Sequence, residues 1–327
     1  MIIKFILKNF FRCLILLISV ILVSFILVVY SPIDTVKNYI GIGISITEEQ
    51  KEEIIKYWEF DEKPIKKFEK WTKGLLNGDM GISFIYRQPV IDVINEKFKA
   101  SFMLMLTSWL LSGVIGFILG IVMGVFKSSK YSFIDFIIKS ICIVFSSVPI
   151  FWFGILSIMI FSVYLGWFPI GFSVPIGIEK ENITFLQKLH HMMLPAFVLS
   201  ITSFSNIALH TRMKIIDIIN SDYVIFARAR GENLFNIIKK HCIKNAFIPA
   251  ITLQFVSISE IFGGSIIAEQ IFSYPGLGQA IVDAGIKGDI NLLLGITIIS
   301  SLFVFFGNFI SNVLYIFINP QIRKRGV

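Results

Sequence analysis

Stretches of apolar residues, each near the roughly 20 that cross a bilayer as a helix, recur six times along the chain. They run from Cys13 to Tyr30, Phe102 to Val125, about Ile141 to Leu165, about Met192 to Leu209, Phe247 to Ile267 and Ile290 to Ile318. Lys4, Lys8 and Arg12 precede the first, as in a secretory leader. Its apolar stretch is long for that role, however, and no small-x-small cleavage site follows Tyr30, so it reads as a retained anchor. Between the first two runs the pattern changes. Thr47-Glu48-Glu49-Gln50 has the form of a capping box and predicts a helix carrying Ile54, Tyr57 and Trp58. Pro64 suits the first turn of a second helix, whose Ile65, Phe68, Trp71 and Leu75 recur at three-to-four spacing, with Gly74 and Gly78 near its end. The pattern therefore predicts an all-α polytopic membrane protein with six transmembrane helices and a small helical segment after the first. It divides into residues 1–30, residues 31–99 and a core of five spans over residues 100–327.

Within the spans, small and polar residues stand out against the apolar background. Gly116, Gly120 and Gly124, with Gly113 before them, form a stripe that lets helices approach closely in lipid. Pro149 removes a backbone donor and predicts a kink in the third span. Glu260 falls near the middle of the fifth span, where an isolated carboxylate is costly. It must be protonated, paired or facing a wet cavity. Two readings stay open: a hydrogen bond to Ser257, Asn206 or a partner subunit, or a place on a solute pathway, where Gly263 and Gly264 allow close approach.

Composition agrees with the pattern. The chain of 327 residues is 55% hydrophobic and 16% charged, with a mean hydropathy of +0.78. A soluble domain carries about 25% charged residues, and a disulfide scaffold would need more than three cysteines. The net charge of +8 raises the question of a nucleic-acid partner. Its distribution removes it. Of 30 Lys and Arg, 16 lie in residues 1–12, 126–140, 210–246 and 319–327, with only 4 of the 22 acidic residues. The whole positive excess lies on one face, which by the positive-inside rule is cytoplasmic. Both termini are then cytoplasmic and residues 31–99 lie outside.

The chemistry for catalysis is missing. There is no phosphate-binding loop, no H-E-x-x-H pair and no nucleophile elbow, so no catalytic residue or cofactor is assigned, and any ATP is used by another chain. His190-His191-Met192-Met193 resembles a soft-metal cluster. Successive helical residues point about 100° apart, so the four cannot converge on one ion, and no metal is assigned.

Residues 212–245 are more informative. Ile215, Ile216, Ile219, Tyr223 and Phe226 are interleaved with charges, which predicts short helices along the membrane face and an apolar-plus-arginine surface for a protein partner. The stretch from Asp222-Tyr223-Val224 through Ala227-Arg228-Ala229-Arg230-Gly231 to His241, Asn245 and Pro249 resembles the coupling loop of the permease subunits of binding-protein-dependent ABC importers. It is closest to the peptide and nickel branch, with its D-Y-V-x-x-A-R-A-K-G and H-x-x-x-N-A-x-x-P pattern. Other segments follow in order: Gly78-Asp79-Met80-Gly81-Ile82-Ser83 with Pro89-Val90, Leu165-Gly166-Trp167-Phe168-Pro169, His191-Met192-Met193-Leu194-Pro195, and Glu269 through Phe272 to Pro275-Gly276-Leu277-Gly278. Ser31-Pro32-Ile33-Asp34 and Asn319-Pro320-Gln321-Ile322-Arg323 depart from the family's P-G-D-P and D-P-R-I-R.

The resemblance implies a permease of a bacterial plasma-membrane importer for peptides or a nickel chelate. It implies as partners a second permease, two ATP-binding subunits docked on residues 212–245, and an extracytoplasmic binding protein. By the same resemblance Asp222, Tyr223, Ala227, Arg228, Ala229, Arg230, Gly231, His241 and Asn245 serve coupling. Glu269, Pro275, Gly276 and Gly278 belong to an outer loop, and Glu260, Gly263, Gly264 and Pro149 are pathway candidates. The alternatives are an ion-coupled transporter acting alone, which usually shows repeats and several intramembrane charges, and a non-transporting scaffold, which would not need the ordered outer loops.

Overall fold

In lipid, every backbone polar group must be satisfied internally, and this chain satisfies them with helices. The computed structural model describes residues 2–40, 47–127, 129–178 and 180–318. Its helices are α1 (Ile2–Val29), α2 (Thr35–Ile40), α3 (Glu48–Trp58), α4 (Pro64–Leu76), α5 (Val90–Phe126), α6 (Ser132–Ser147), α7 (Ile150–Ser157), α8 (Phe185–Ile219), α9 (Asp222–Ala229), α10 (Leu234–Ile237), α11 (Lys244–Ile271), α12 (Leu277–Lys287) and α13 (Ile290–Ile318). Strands β1 (Ile82–Ser83) and β2 (Gln88–Pro89) pair antiparallel, Ile82 opposite Pro89. Among the described residues, five helical stretches are long and apolar enough to cross a membrane, and a bent pair makes up to six. The predicted all-α polytopic architecture is observed; the departure at Asn319–Arg323 lies outside the described residues.

Two prolines lie inside helices that extend beyond the apolar runs. Pro195 sits inside α8 and Pro249 inside α11. Pro149 does the reverse. The third apolar run is not one kinked rod, because α6 and the helical stretch beginning with α7 meet at 111°. Val148 is extended (ψ 131°), as the residue before a proline prefers, and Pro149 precedes α7 with ψ 135°. The chain turns a corner there, and a π-helical turn, Ile158–Tyr164, continues α7.

One compact unit comprises residues 1–101 and 275–305. The capping box forms as predicted: Thr47 Oγ1 accepts from Gln50 N (3.3 Å) while Thr47 N donates to Gln50 Oε1 (3.1 Å). In α4, Phe68, Trp71 and Leu75 pack with Phe25 of α1 and Leu294 and Ile298 of α13. Ile65, expected on the same face, is 82% exposed, because at N2 it lies outside that contact. Asp289 ties the ribbon to the start of α13. Buried at 1% exposure, it accepts from Ser83 Oγ (2.6 Å), Ile85 N (3.2 Å) and Leu292 N (3.1 Å). Burial pushes its carboxyl above the usual range, with these hydrogen bonds pulling the other way.

The second unit comprises residues 102–274 and 306–327. Here α8 is the core helix, packed by α5, α6, α7 and α11. The glycine stripe of α5 faces it directly. A Cβ on Gly116 would lie 2.7 Å from the Phe204 carbonyl oxygen, and one on Gly124 would lie 2.5 Å from Ile215 Cγ2. A Cβ on Gly120 would collide with Thr211. Trp109 Nε1 on α5 donates to the Gln254 carbonyl of α11 (2.7 Å), and Gln254 Nε2 donates back to the Trp109 carbonyl. The stripe therefore sets the distance between backbones. Gly120→Leu should destabilise the detergent-solubilised protein by about 1–3 kcal/mol or more, as overpacking does. Gly263→Ala, where an added Cβ meets nothing within 4 Å, should leave the melting temperature unchanged or slightly raised.

Candidate functional site

Helix α9 is short and buries little. Val224 and Ala227 turn inward, Val224 into a cluster with Ile215, Ile218, Ile237 and Cys242. The opposite side leaves Phe226 (65% exposed) and Phe235 (70%) in the open with Ile225 and Leu234. Asp222, Tyr223, Arg228, Ala229 and Arg230 are exposed on the same segment. The guanidinium of Arg230 lies 6.0 Å from the Phe226 ring centroid. This is an aromatic and arginine surface in the compositional class of protein interfaces. Ala227 is the exception among the expected coupling residues, because it packs inward.

Gly231 has a reason of its own. Its φ is +86°, and Gly231 N and Glu232 N bond back to the carbonyls of Arg228 (2.9 Å) and Ala227 (3.1 Å). A left-handed residue closing a helix in this way favours glycine. The resemblance implies a coupling role for Gly231; the turn itself already requires a glycine there.

The start of α11 reaches back to this face. Asn245 Nδ2 donates to the Tyr223 hydroxyl (3.4 Å) and to the His241 carbonyl (2.9 Å). The Tyr223 and His241 rings lie 6.0 Å apart, and His241 Nε2 is 3.4 Å from Glu232 Oε2. Three predicted residues, Tyr223, His241 and Asn245, thus converge, and Glu232 joins them. Glu232 was passed over because it carries no motif position.

A second missed feature lies at the edge of this segment. Arg212 of α8 pairs with Asp135 of α6, Nε to Oδ1 at 2.5 Å and Nη2 to Oδ2 at 2.8 Å, with side chains 12% and 4% exposed. The charge count had placed both in loops. Both are helical, and their spacing in sequence gave no sign of the pair.

The open faces of α8 and α11 form a third feature. Asn206, His210, Met213 and Asp217 are exposed at helical spacing on α8, and Val256, Glu260, Gly263 and Ile267 on α11. A groove of about 460 Å³ runs between the two helices, lined by His210, Met213 and Asp217 on one side and Pro249, Thr252 and Leu253 on the other. Glu260 stays on the open face. The expected bond to Ser257 is absent, because Ser257 Oγ donates to the Gln254 carbonyl (2.8 Å), and Asn206 is exposed on its own helix. Gly264 faces away from this surface and packs against Leu199 and Ile150, the residue after Pro149. The four pathway candidates therefore divide: Glu260 and Gly263 are open, while Gly264 lines an internal contact beside the Pro149 corner.

The ends of the spans are stitched by backbone carbonyls. His190 Nε2 and His191 Nδ1 lie 2.8 Å and 3.1 Å from the carbonyls of Trp167 and Gly171. The histidines therefore hold the segment from Trp167 to Gly171 to α8. Glu269 is fully buried in α11, and its carbonyl accepts from Tyr274 N (2.8 Å). Burial, with Glu269 nearby, pushes the Tyr274 hydroxyl up to about 12. Pro275 and Gly276 lead into α12, where Gly278 lies in the first turn and Leu277 N donates to Ser101 Oγ (2.7 Å).

A helical protein with several membrane-length spans, a glycine-packed bundle and an exposed helical face rich in arginine and phenylalanine has the build of a transport component of the membrane. Residues 116–324 match the family described as binding-protein-dependent transport system inner membrane component, and the chain belongs to that family. It is a multi-pass protein of the bacterial inner membrane. It is 32% identical to the oligopeptide transport system permease protein AppB of Bacillus subtilis over 94% of this chain and 95% of that one. It is 30% identical to the di/tripeptide transport system permease protein DppB of Pseudomonas aeruginosa, over 81% and 82%. It is 31% identical to the glutathione transport system permease protein GsiC of Escherichia coli, over 79% of each chain.

The buried ion pair yields a test by double-mutant cycle. Asp135→Leu or Arg212→Met alone leaves a buried charge without its partner and should cost about 3–5 kcal/mol. The double variant should recover most of that loss in thermal unfolding. A double variant no more stable than either single would show that the pair is not coupled.

Proposed function

We propose that the chain is one of two transmembrane subunits of an ATP-driven importer of peptides. In this reading it forms the solute pathway with a second, related permease. Two ATP-binding subunits dock on the α9–α10 face, and an extracytoplasmic binding protein delivers the solute. The observation that carries the reading is that face: Phe226, Phe235, Arg228 and Arg230 exposed on a segment bonded through Tyr223 and Asn245 to the start of α11. Peptides are favoured as cargo because the relatives above are named for oligopeptides, di/tripeptides and glutathione. Nickel has no specific support. Closure of the ATP-binding subunits would move the two docking faces together and shift the pathway between its states, a population shift driven by a ligand bound at a distance.

Glu260 supports a pathway along the open face of α11. A carboxylate at mid-span without a partner among the described residues needs water, a second subunit or a cationic solute group. The ion-coupled alternative draws less support. Two acidic residues deep in their helices are engaged in packing: Asp135 holds Arg212, and Glu269 is sealed in the last turn of α11.

Co-purification of the tagged chain should bring down ATP-binding subunits and a second permease; recovery of the chain alone under mild solubilisation would favour a transporter working by itself. Gly231 variants separate the two demands on that residue. Asparagine tolerates the left-handed turn, so Gly231→Asn should preserve insertion, and if a partner backbone packs there it should depress uptake while the chain stays in the membrane. Glu260→Gln should depress uptake with the complex assembled; full uptake would remove Glu260 from the pathway. For orientation, cysteines in residues 48–62 should label from outside and those in residues 232–240 only from inside.

A further inference from the structure

In the unit formed by residues 1–101 and 275–305, a cavity of about 250 Å³ opens beside α3 and α4. Its walls combine aromatic rings and charge. Trp58, Phe60, Trp71 and Phe84 supply the rings, with Phe60 and Phe84 packed edge to face at 5.5 Å. The charged groups are four carboxylates against two lysines, so the lining is negative.

Most of these charges are already engaged. Lys70 Nζ is 2.8 Å from Glu59 Oε2 and 3.1 Å from Glu62 Oε1. Half-buried Lys67 donates to the Phe60 carbonyl (3.1 Å), and burial holds it below the usual ammonium range. Asp79 accepts from Gly81 N (2.8 Å), and Asp289 is bonded as described above. Two atoms on the wall are not engaged. Glu62 Oε2 and the indole N–H of Trp71, a residue only 7% exposed, are buried without a hydrogen-bond partner among the described residues. Such atoms are uncommon in native proteins and point to a bound molecule or ion.

The chemistry narrows the occupant. An anion meets an excess of carboxylates and two lysines already held. A metal ion lacks ligands, because no group of three metal-ligating side chains occurs among the described residues. An organic ammonium satisfies both features, since aromatic faces attract a cation and an unpaired carboxylate oxygen accepts from it. We propose that this cavity binds a small primary amine with a neighbouring carbonyl, its ammonium at Glu62 among Trp58, Phe60 and Phe84 and its carbonyl oxygen at the Trp71 indole. The volume suits a ligand of amino-acid to dipeptide size. The site is separate from the open face of α11 and does not depend on the pathway proposed there.

The test is calorimetric titration of the full-length chain in lipid nanodiscs with phenylalaninamide, N-acetyl-phenylalaninamide and 3-phenylpropionate. The free amine should bind saturably and the other two at least about tenfold more weakly, as expected for loss of a charge-assisted hydrogen bond. Glu62→Gln should weaken the amine by a similar factor. Trp58→Leu, which leaves the Glu59–Lys70–Glu62 ion pairs intact, should weaken it as well, and melting temperatures establish that each variant is folded. Three results would overturn the site: equal binding of amine and acetylated amide, no saturable binding of any probe (a cavity filled with water alone), or folded variants that bind as the parent does. Loss of binding in Glu260→Gln with Glu62→Gln unaffected would place the amine at the open face of α11 and overturn it equally.

Discussion

Helix association in a membrane draws little from the hydrophobic effect, because lipid tails are as apolar as the side chains they replace. What remains is close contact between backbones, and in the 102–274 unit that contact is made where α5 presents Gly116, Gly120 and Gly124 to α8. At each glycine the partner occupies the space a side chain would need. Because α8 is the most buried of the membrane-length helices, with 72% of its apolar window inside, its position fixes what the neighbours can do. Gly264 of α11 repeats the device against Leu199 of α8 and Ile150 of α7. Where such contacts end, the helices show open faces, and those faces carry Asn206, His210 and Glu260.

Much of this was legible along the chain, and the reasons are local. A capping box reports its own hydrogen bonds, so the α3 start at Thr47 could be read from four residues. A glycine every fourth position names a helix face whatever lies opposite. The positions of the spans followed from apolar length alone. Failures occurred where a residue's meaning depended on a distant one. Pro149 was expected to kink its span and does bend the chain, but the size of the bend, a 111° corner rather than a kink, depends on packing that its own sequence does not carry. Ile65 kept the right spacing but stood one turn too early to reach α1.

The candidate site divides the same way. The α9 residues were found through a pattern, and the structure separates them into an exposed set and an inward Ala227 that serves packing. The Asp135–Arg212 pair was invisible, because two charges counted for topology gave no hint of pairing across two helices. Counting charges by side still located them correctly relative to each other, since an ion pair requires both members at one level. Glu232 was missed because an acidic residue near a basic segment looks like solvent-facing charge. Its position is set by the turn at Gly231, whose left-handed backbone shows only in the fold.

The path from the α9 face into α11 has an unusual mechanical make-up. Between Ile238 and Ile243 the helix carries a π-helical turn, and Pro249 removes a further backbone bond a few residues later. A helix is softest to bending where its ladder is irregular, so a force applied at α10 alone would be absorbed as local flexure. The bond from Asn245 to Tyr223 bridges this soft section from outside, joining α9 to the helix beyond the π-helical turn. Stiffness is thus supplied by a side-chain brace in parallel with the backbone, and a displacement of α9 acts on the base of α11 as a lever acts on a shaft that turns at its own collar.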